Sequence, residues 1–456
     1  MQKREIGSRV PGIDRRRFLA GTSSLGAAAF LGSGLFPNPG IAQAKTLTVT
    51  TMPGPRWEGA LRASAKAYQT AHPDVEVNIL VSPYAEHYQR IGTSLAEDSS
   101  DFDLHLFDPV LIGQSHPKLL PLSELFDSDP EWRDYYLQGV PEFYRGSWSW
   151  DGVPYSVVHD ANCMMTWWRT DIFDEMNLPE PATFEIILEN AKALNERKPG
   201  SGYMTCGARN AWFLGMTYTG MMHGFGGRWY ENDTPDRFGR IDPSVGPGKL
   251  LLDSRENLAT MTMLAELAKV WNPASVNAQE FENAEAFKND VVYQQNMWSG
   301  LMLLQNPKEN PNYASALISR DFPIGGSNKD TSMTGMKGGF GLAIPKACKD
   351  PQLAFDFAKF VASQENAENF ILGGGQPSNT TLLNTWGEKH EYQVFKSIAL
   401  GIAHGHHLAQ FPEGPEFFQL ITQHAGNVVT GAVTAEEGCQ QMQADATTLF
   451  ERAGYL

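Results

Sequence analysis

Few of the residues able to do chemistry in this chain stand in a catalytic pattern. There is no Gly-x-Ser-x-Gly, His-Glu-x-x-His or Gly-x-x-x-x-Gly-Lys-Ser/Thr stretch. The local signatures of serine hydrolases, zinc proteases and P-loop enzymes are therefore missing. Carboxylate pairs for glycoside hydrolysis are set by the fold rather than by spacing along the chain, so a secreted carbohydrate-active enzyme stays open as a rival class. His404-Gly405-His406-His407 offers imidazoles and Tyr135-Tyr136 offers phenols to a metal. No carboxylate stands at i, i+4 spacing from those histidines, and Cys163, Cys206, Cys348 and Cys439 are far apart with no CxxC. That excludes a zinc ribbon or thioredoxin motif and leaves zero, one or two disulfides possible. No cofactor is implied. Two short segments stand out: the loop Met52 to Trp57 and the pair Phe107-Asp108, each directly after a run that reads as a strand.

The elements behind those segments alternate. Lys45 to Thr51 is rich in β-branched residues and reads as a strand, as do Val75 to Val81 and Phe102 to Phe107. Between them, Trp57 to Thr70 and Tyr84 to Ala96 read as helices, the first with Leu61, Ala65 and Tyr68 on one face. This predicts an α/β unit with a mainly parallel sheet. Ligands in open α/β sheets bind beyond the carboxyl ends of strands, where both segments lie. Further on, Asp151-Gly152 reads as a turn, Val153 to Val158 and Met164 to Trp168 as two strands, and Thr183 to Asn195 as a helix capped by Thr183. Lys337-Gly338-Gly339 reads as a turn before a strand at Phe340 to Pro345, and Thr434 to Arg452 as a C-terminal helix.

The 456 residues, 42 % apolar and 19 % charged, suit two or three ordinary globular domains. A net charge of −16 with no basic stripe argues against nucleic acid. The N-terminus differs. Lys3, Arg4, Arg9 and Arg15 to Arg17 precede a weakly apolar run, Phe18 to Phe36, which ends at Ala42-Gln43-Ala44. Its core, Asp14-Arg15-Arg16-Arg17-Phe18-Leu19, resembles the twin-arginine export motif, so residues 1–44 are expected to be a signal peptide cleaved near Ala44. The expected location is periplasmic.

Trp148-Ser-Trp-Asp-Gly-Val-Pro-Tyr155, then Met164 to Phe173 and Leu178 to Leu188, resembles the central signature of family 1 extracellular solute-binding proteins, the carbohydrate-type receptors of ABC importers. Gly338-Gly-Phe-Gly-Leu-Ala-Ile-Pro345 and Gly374-Gly-Gln-Pro-Ser378 are similar to two further motifs of that family, in the same order. Phe340 stands where the family usually has Trp, and Asn379 where it often has Arg. The resemblance implies two α/β lobes, discontinuous in sequence, with a ligand cleft between them: 45–160 with 323–385, and 161–322 with 386–456. It implies a non-enzymatic receptor, monomeric, that captures a sugar, polyol or short oligosaccharide and delivers it to an ABC permease in the inner membrane.

Such a ligand needs flat aromatics for its C–H faces and paired donors and acceptors for its hydroxyls. The resemblance and the strand ends together give the candidate ligand residues Trp57, Glu86, Asp108, His159, Asp160, Asn162, Trp212, Trp298, Phe340, Gln376 and Ser378. Gly226-Gly227 reads either as a loop approaching the cleft or as a tight turn. Aromatics around an acid also suit a quaternary amine or polyamine. A sugar phosphate would call for Arg56 or Arg228.

Overall fold

The computed structural model describes residues 45–209, 212–234, 237–300, 317–320, 322–330 and 335–456. The expected signal peptide, 1–44, lies outside the described residues. Among these residues no helix is long and apolar enough to cross a membrane.

Strand β1 (Lys45–Thr51) pairs in parallel with β2 (Val75–Val81) and β3 (Leu104–Phe107). Helix α1 (Ala60–Ala71) crosses between β1 and β2, and α2 (Tyr84–Ala96) between β2 and β3. α1 buries Leu61, Ala65 and Tyr68, the face its spacing predicts. A π-helical turn, Pro55–Gly59, precedes it and buries Arg56 and Trp57. Gly54 permits that turn: its φ is +113°, and a Cβ there would stand 2.9 Å from the Phe281 ring.

Beyond β3 the sheet stops being parallel. Its order is β2-β1-β3, then β10 (Lys337–Ala343), β6 (Ser156–Arg169), β8 (Gln294–Trp298) and β7 (Met204–Thr205), with β9 (Leu317–Arg320) also paired to β6. β10 is antiparallel to β3 and to β6, and β6 is antiparallel to β8 and β9. Only β7 restores a parallel pair, with β8. The sheet is thus mixed, because β10 returns from late in the chain to sit between β3 and β6. A short hairpin of β4 (Ser149–Trp150) and β5 (Val153–Pro154) turns through Asp151 and Gly152, both at positive φ.

Two further expectations need correction. Val153 to Val158 and Met164 to Trp168 are not two strands: β6 runs unbroken through His159-Asp-Ala-Asn-Cys163, with all fourteen residues buried. The polar stretch reads as a gap only because its partners come from distant segments. Lys337-Gly338-Gly339 is not a turn but the start of β10, paired with Asn162 and Ala161. β6 spans about 45 Å at the usual strand rise. Its first half, to Cys163, pairs with β10, and its second half, from Met164, with β8 and β9. One strand therefore belongs to both halves of the molecule.

Candidate ligand-binding cleft

Three elements converge where β6 passes from one half to the other: the π-helical turn after β1, the Gly338–Phe340 segment of β10, and the Trp298 end of β8. They enclose a cavity of about 30 Å³, lined among others by Arg56, Trp57, Tyr84, Asp108, Asn162 and Phe213, together with Met216, Glu280, Trp298, Phe340 and Leu408. That volume holds a water or two, not a sugar. The cleft is shut, and aromatic pairs close it: Tyr84 of α2 meets Phe213 at 5.3 Å between ring centroids, and Tyr88 meets Trp212 edge-on at 5.5 Å. Phe213 begins the buried helix Phe213–Gly224, and its N-cap Trp212 has φ +65°. A bulky side chain in the left-handed region costs about 1–2 kcal/mol, which the surrounding structure must supply.

The polar centre is Arg56. Its Nε and Nη2 donate to Asp160 Oδ1 and Oδ2 at 3.0 and 2.7 Å, a two-pronged pair within a buried site. Its Nη1 lies 3.5 Å from Glu280 Oε1. Glu280 begins the helix Glu280–Lys288, where a carboxylate is favoured by the helix dipole. Burial alone would lower the Arg56 pKa, but the two carboxylates reverse that and hold it above its ordinary value. Burial pushes both Asp160 and Glu280 up, against the pull of the one guanidinium they share. Arg56 Nη1, Glu280 Oε1 and Trp57 Nε1 are buried without hydrogen-bond partners. They are two donors and an acceptor held around one small space. Aromatic faces frame it: Trp57 is edge-on to Phe340 at 5.8 Å, and Arg56 lies over the Trp57 and Phe340 rings at 5.2 and 5.7 Å.

Asp108 lines the same cavity. It is both a turn acid and a cleft acid: Oδ1 accepts from Val110 N at 2.9 Å and so caps Pro109–Leu111, while Oδ2 accepts from the Tyr88 hydroxyl. Burial pushes its carboxyl up to about 6, against the two hydrogen bonds and Arg56. Asn162 Oδ1 accepts from Ser299 N and Oγ at 3.0 and 2.6 Å, and Gln376 Oε1 accepts from the same Oγ at 2.9 Å. Ser299 thereby ties the end of β8 to β6 and to the loop carrying Gln376.

Of the eleven candidates, the structure brings Trp57, Asp108, Asn162, Trp298 and Phe340 to the cavity wall. Asp160 anchors Arg56 from behind, Gln376 braces Ser299, and half-buried Trp212 packs on Tyr88. Three lie elsewhere. Glu86 is exposed on α2, whose cleft-facing residues are Tyr84 and Tyr88. His159 and Ser378 border a separate small cavity with Phe370 and Val361. His159 is the position of β6 skipped between the pairs Phe340–Asp160 and Gly341–Val158, a β-bulge, and it lies away from the cavity that Asn162 lines. Ser378 donates to Val158 O at 2.8 Å, a brace for β6. Arg56, weighed above as a phosphate partner, is already engaged by two acids, and Arg228 is exposed. Gly226, at φ +80°, makes the turn after the helix Phe213–Gly224.

Sequence reasoning missed Tyr84, Tyr88 and Glu280. The two tyrosines carry a readable signal, i, i+4 on a helix that follows a strand. Glu280 carries none. The residues of the rival metal reading have other contacts: His406 stacks on His223 at 3.4 Å, His407 contacts Ser147, and the Tyr136 hydroxyl accepts from Val158 N. No group of three or more His, Cys, Asp or Glu able to hold a metal occurs among the described residues.

The model of the bacterial extracellular solute-binding protein family matches residues 54–368, and the chain belongs to that family. A mannitol-binding protein of Pseudomonas aeruginosa is 28 % identical over 222 residues, 47 % of this chain and 48 % of that protein. The match thus spans about half the length of that relative. A ribitol complex of an ABC transporter solute-binding protein from Agrobacterium radiobacter K84 superposes with a TM-score of 0.77 at 19 % identity, covering 90 % of this chain and all of that one. Maltose-bound MalE3 of T. maritima gives 0.78 at 19 % identity, covering 89 % and 100 %. The fold is the two-lobe α/β architecture of periplasmic binding proteins.

Proposed function

We propose that the chain is the receptor of an ABC importer and captures a neutral polyol or sugar between its lobes. The observation that carries this reading is the cleft itself. Flat apolar rings, Trp57, Trp298 and Phe340, surround unmet donors and an unmet acceptor on Trp57, Arg56 and Glu280. A hydroxylated carbon chain offers C–H faces to the former and paired O–H groups to the latter. The mannitol-binding relative and the ribitol-bound neighbour support a polyol, and the maltose-bound neighbour a sugar. Ligand would favour the state in which both lobes touch it, so binding and closure are one equilibrium.

The lobes of this reading are 45–160 with 323–385 and 161–322 with 386–456, joined through β6. Residues 1–44 would direct twin-arginine export, and the mature protein would act in the periplasm, as a monomer without enzymatic activity, handing ligand to an inner-membrane permease. A quaternary amine is the second reading. It is favoured by the charge of the cleft, where one guanidinium faces Asp160, Glu280 and Asp108; the same excess of acid disfavours a sugar phosphate.

Calorimetric titration of residues 45–456 with mannitol, ribitol, maltose, choline and glucose 6-phosphate tests this. Binding of a polyol or sugar is expected. Binding of choline alone would establish the second reading, and binding of the phosphate alone would overturn both.

A further inference from the structure

A cavity of about 880 Å³ lies away from the cleft, beside the β4–β5 hairpin. Four arginines line it, and they divide into two kinds. Arg133 pairs with Asp127 at 2.7 Å, and Arg237 pairs with Asp242. Among the described residues Arg145 and Arg240 have no carboxylate partner. Arg240 is nonetheless fixed in place. Its Nη2 donates to Gly146 O at 2.8 Å, to Gln410 Oε1 at 2.9 Å and to Ser149 O. Its guanidinium lies over the Trp150 ring at 5.1 Å, and Trp150 is itself stacked on His116. Arg145, next in sequence to the Gly146 that receives Arg240, has a buried Nε with no hydrogen-bond partner. Glu142 and Asp151, the acids left over, are exposed. Burial holds the Arg240 pKa down to about 10, with Asp151 pulling the other way.

Arg145 Nε is left unmet, and on Arg240, whose Nε and Nη2 donate to Gln410, Gly146 and Ser149, Nη1 is the nitrogen left over; guanidinium donors of this kind lining one cavity are the complement of a carboxylate. Phe126, Leu137 and Ile241 supply apolar wall beside it. We propose that this cavity is a second binding site, for a small organic anion whose carboxylate meets Arg145 and Arg240 and whose body lies against the apolar wall. A sugar acid and an aromatic acid share this chemistry.

Titration calorimetry with glucuronate and benzoate, against glucose, benzamide and inorganic phosphate at matched ionic strength, tests the site. At least one carboxylate should bind where its neutral counterpart does not, and should bind tenfold or more weakly to Arg145→Gln. Preference between the two names the source. Arg145→Lys keeps the charge but loses the fork; it should also bind more weakly, and it answers the same question if Arg145→Gln does not fold. Trp298→Ala, altered only in the cleft, should bind the carboxylate as the wild type does. The proposal is overturned if neither carboxylate binds, if phosphate alone binds, if Arg145→Gln binds undiminished, or if Trp298→Ala abolishes binding.

Discussion

Arg56 Nη1 and Glu280 Oε1 stand 3.5 Å apart, both buried, with no hydrogen bond satisfying either atom. The other two nitrogens of the same guanidinium donate to Asp160. The pair is thus a contact that a ligand hydroxyl can improve by donating to the carboxylate and accepting from the guanidinium. Glu280→Ala should weaken ligand binding by about 1–3 kcal/mol, the scale of a lost buried hydrogen bond. Titration calorimetry checks this, and unchanged affinity would remove Glu280 from the site.

Arg56 also carries a structural load. Arg56→Met leaves Asp160 and Glu280 buried without their cation, a change expected to cost about 3–5 kcal/mol. Urea denaturation should show it as a fall in midpoint, and a loss below 1 kcal/mol would mean that the cleft rearranges or admits water.

Asp108 and Trp298 reach the cavity from opposite halves of the sheet. Asp108→Ala and Trp298→Ala should each weaken binding by about 1–3 kcal/mol, through an unmet polar group and a lost stacking face. Full affinity in both variants would displace the ligand from this cavity.

Tyr88 donates to Asp108 and so opposes the effect of burial on that carboxyl. Tyr88→Phe should move the Asp108 titration upward from about 6. Carbon-detected NMR of the aspartate side chains gives the midpoint directly, and a downward shift would contradict the contact.

Asp233 is buried with Oδ2 unpartnered, and burial pushes its carboxyl up to about 7. The folded chain therefore keeps this proton to higher pH than the unfolded chain. Its contribution to stability is complete below the ordinary aspartate range and is lost as pH rises through about 7. Asp233→Asn should flatten the fall in melting temperature between about pH 4 and 7, removing at most about 4 kcal/mol of pH dependence. An unchanged slope would assign that dependence to other groups.

Much of this architecture is legible locally. Lys45–Thr51, Val75–Val81 and the helix Tyr84–Ala96 have the limits their periodicity gives, and Thr183 and Thr434 cap their helices through Ile186 N and Glu437 N. The failures share a cause. His159, Asp160 and Asn162 look like a break in a strand because polar residues in a buried strand need partners, and those of Asp160 and Asn162 sit more than a hundred residues away in Arg56 and Ser299. Gly338-Gly339 looks like a turn because its strand partner, β6, is distant in sequence, and Gly339 keeps φ +111° within the pairing. Asp108 is readable from its place at a strand end. Glu280 is not, since only the packing of segments more than two hundred residues apart brings it to Arg56.

No disulfide joins Cys163, Cys206, Cys348 and Cys439, all of them buried, and burial pushes Cys348 and Cys439 up to about 12. Such sulfurs behave as small apolar side chains, poor in thiolate and shielded from attack. The fold therefore owes nothing to cross-linking, and its maturation calls for neither an oxidant nor a disulfide isomerase. The same native state is reachable in a reducing cytosol and in an oxidising envelope, and a polypeptide that finishes folding before it meets a membrane gives up no stability by doing so.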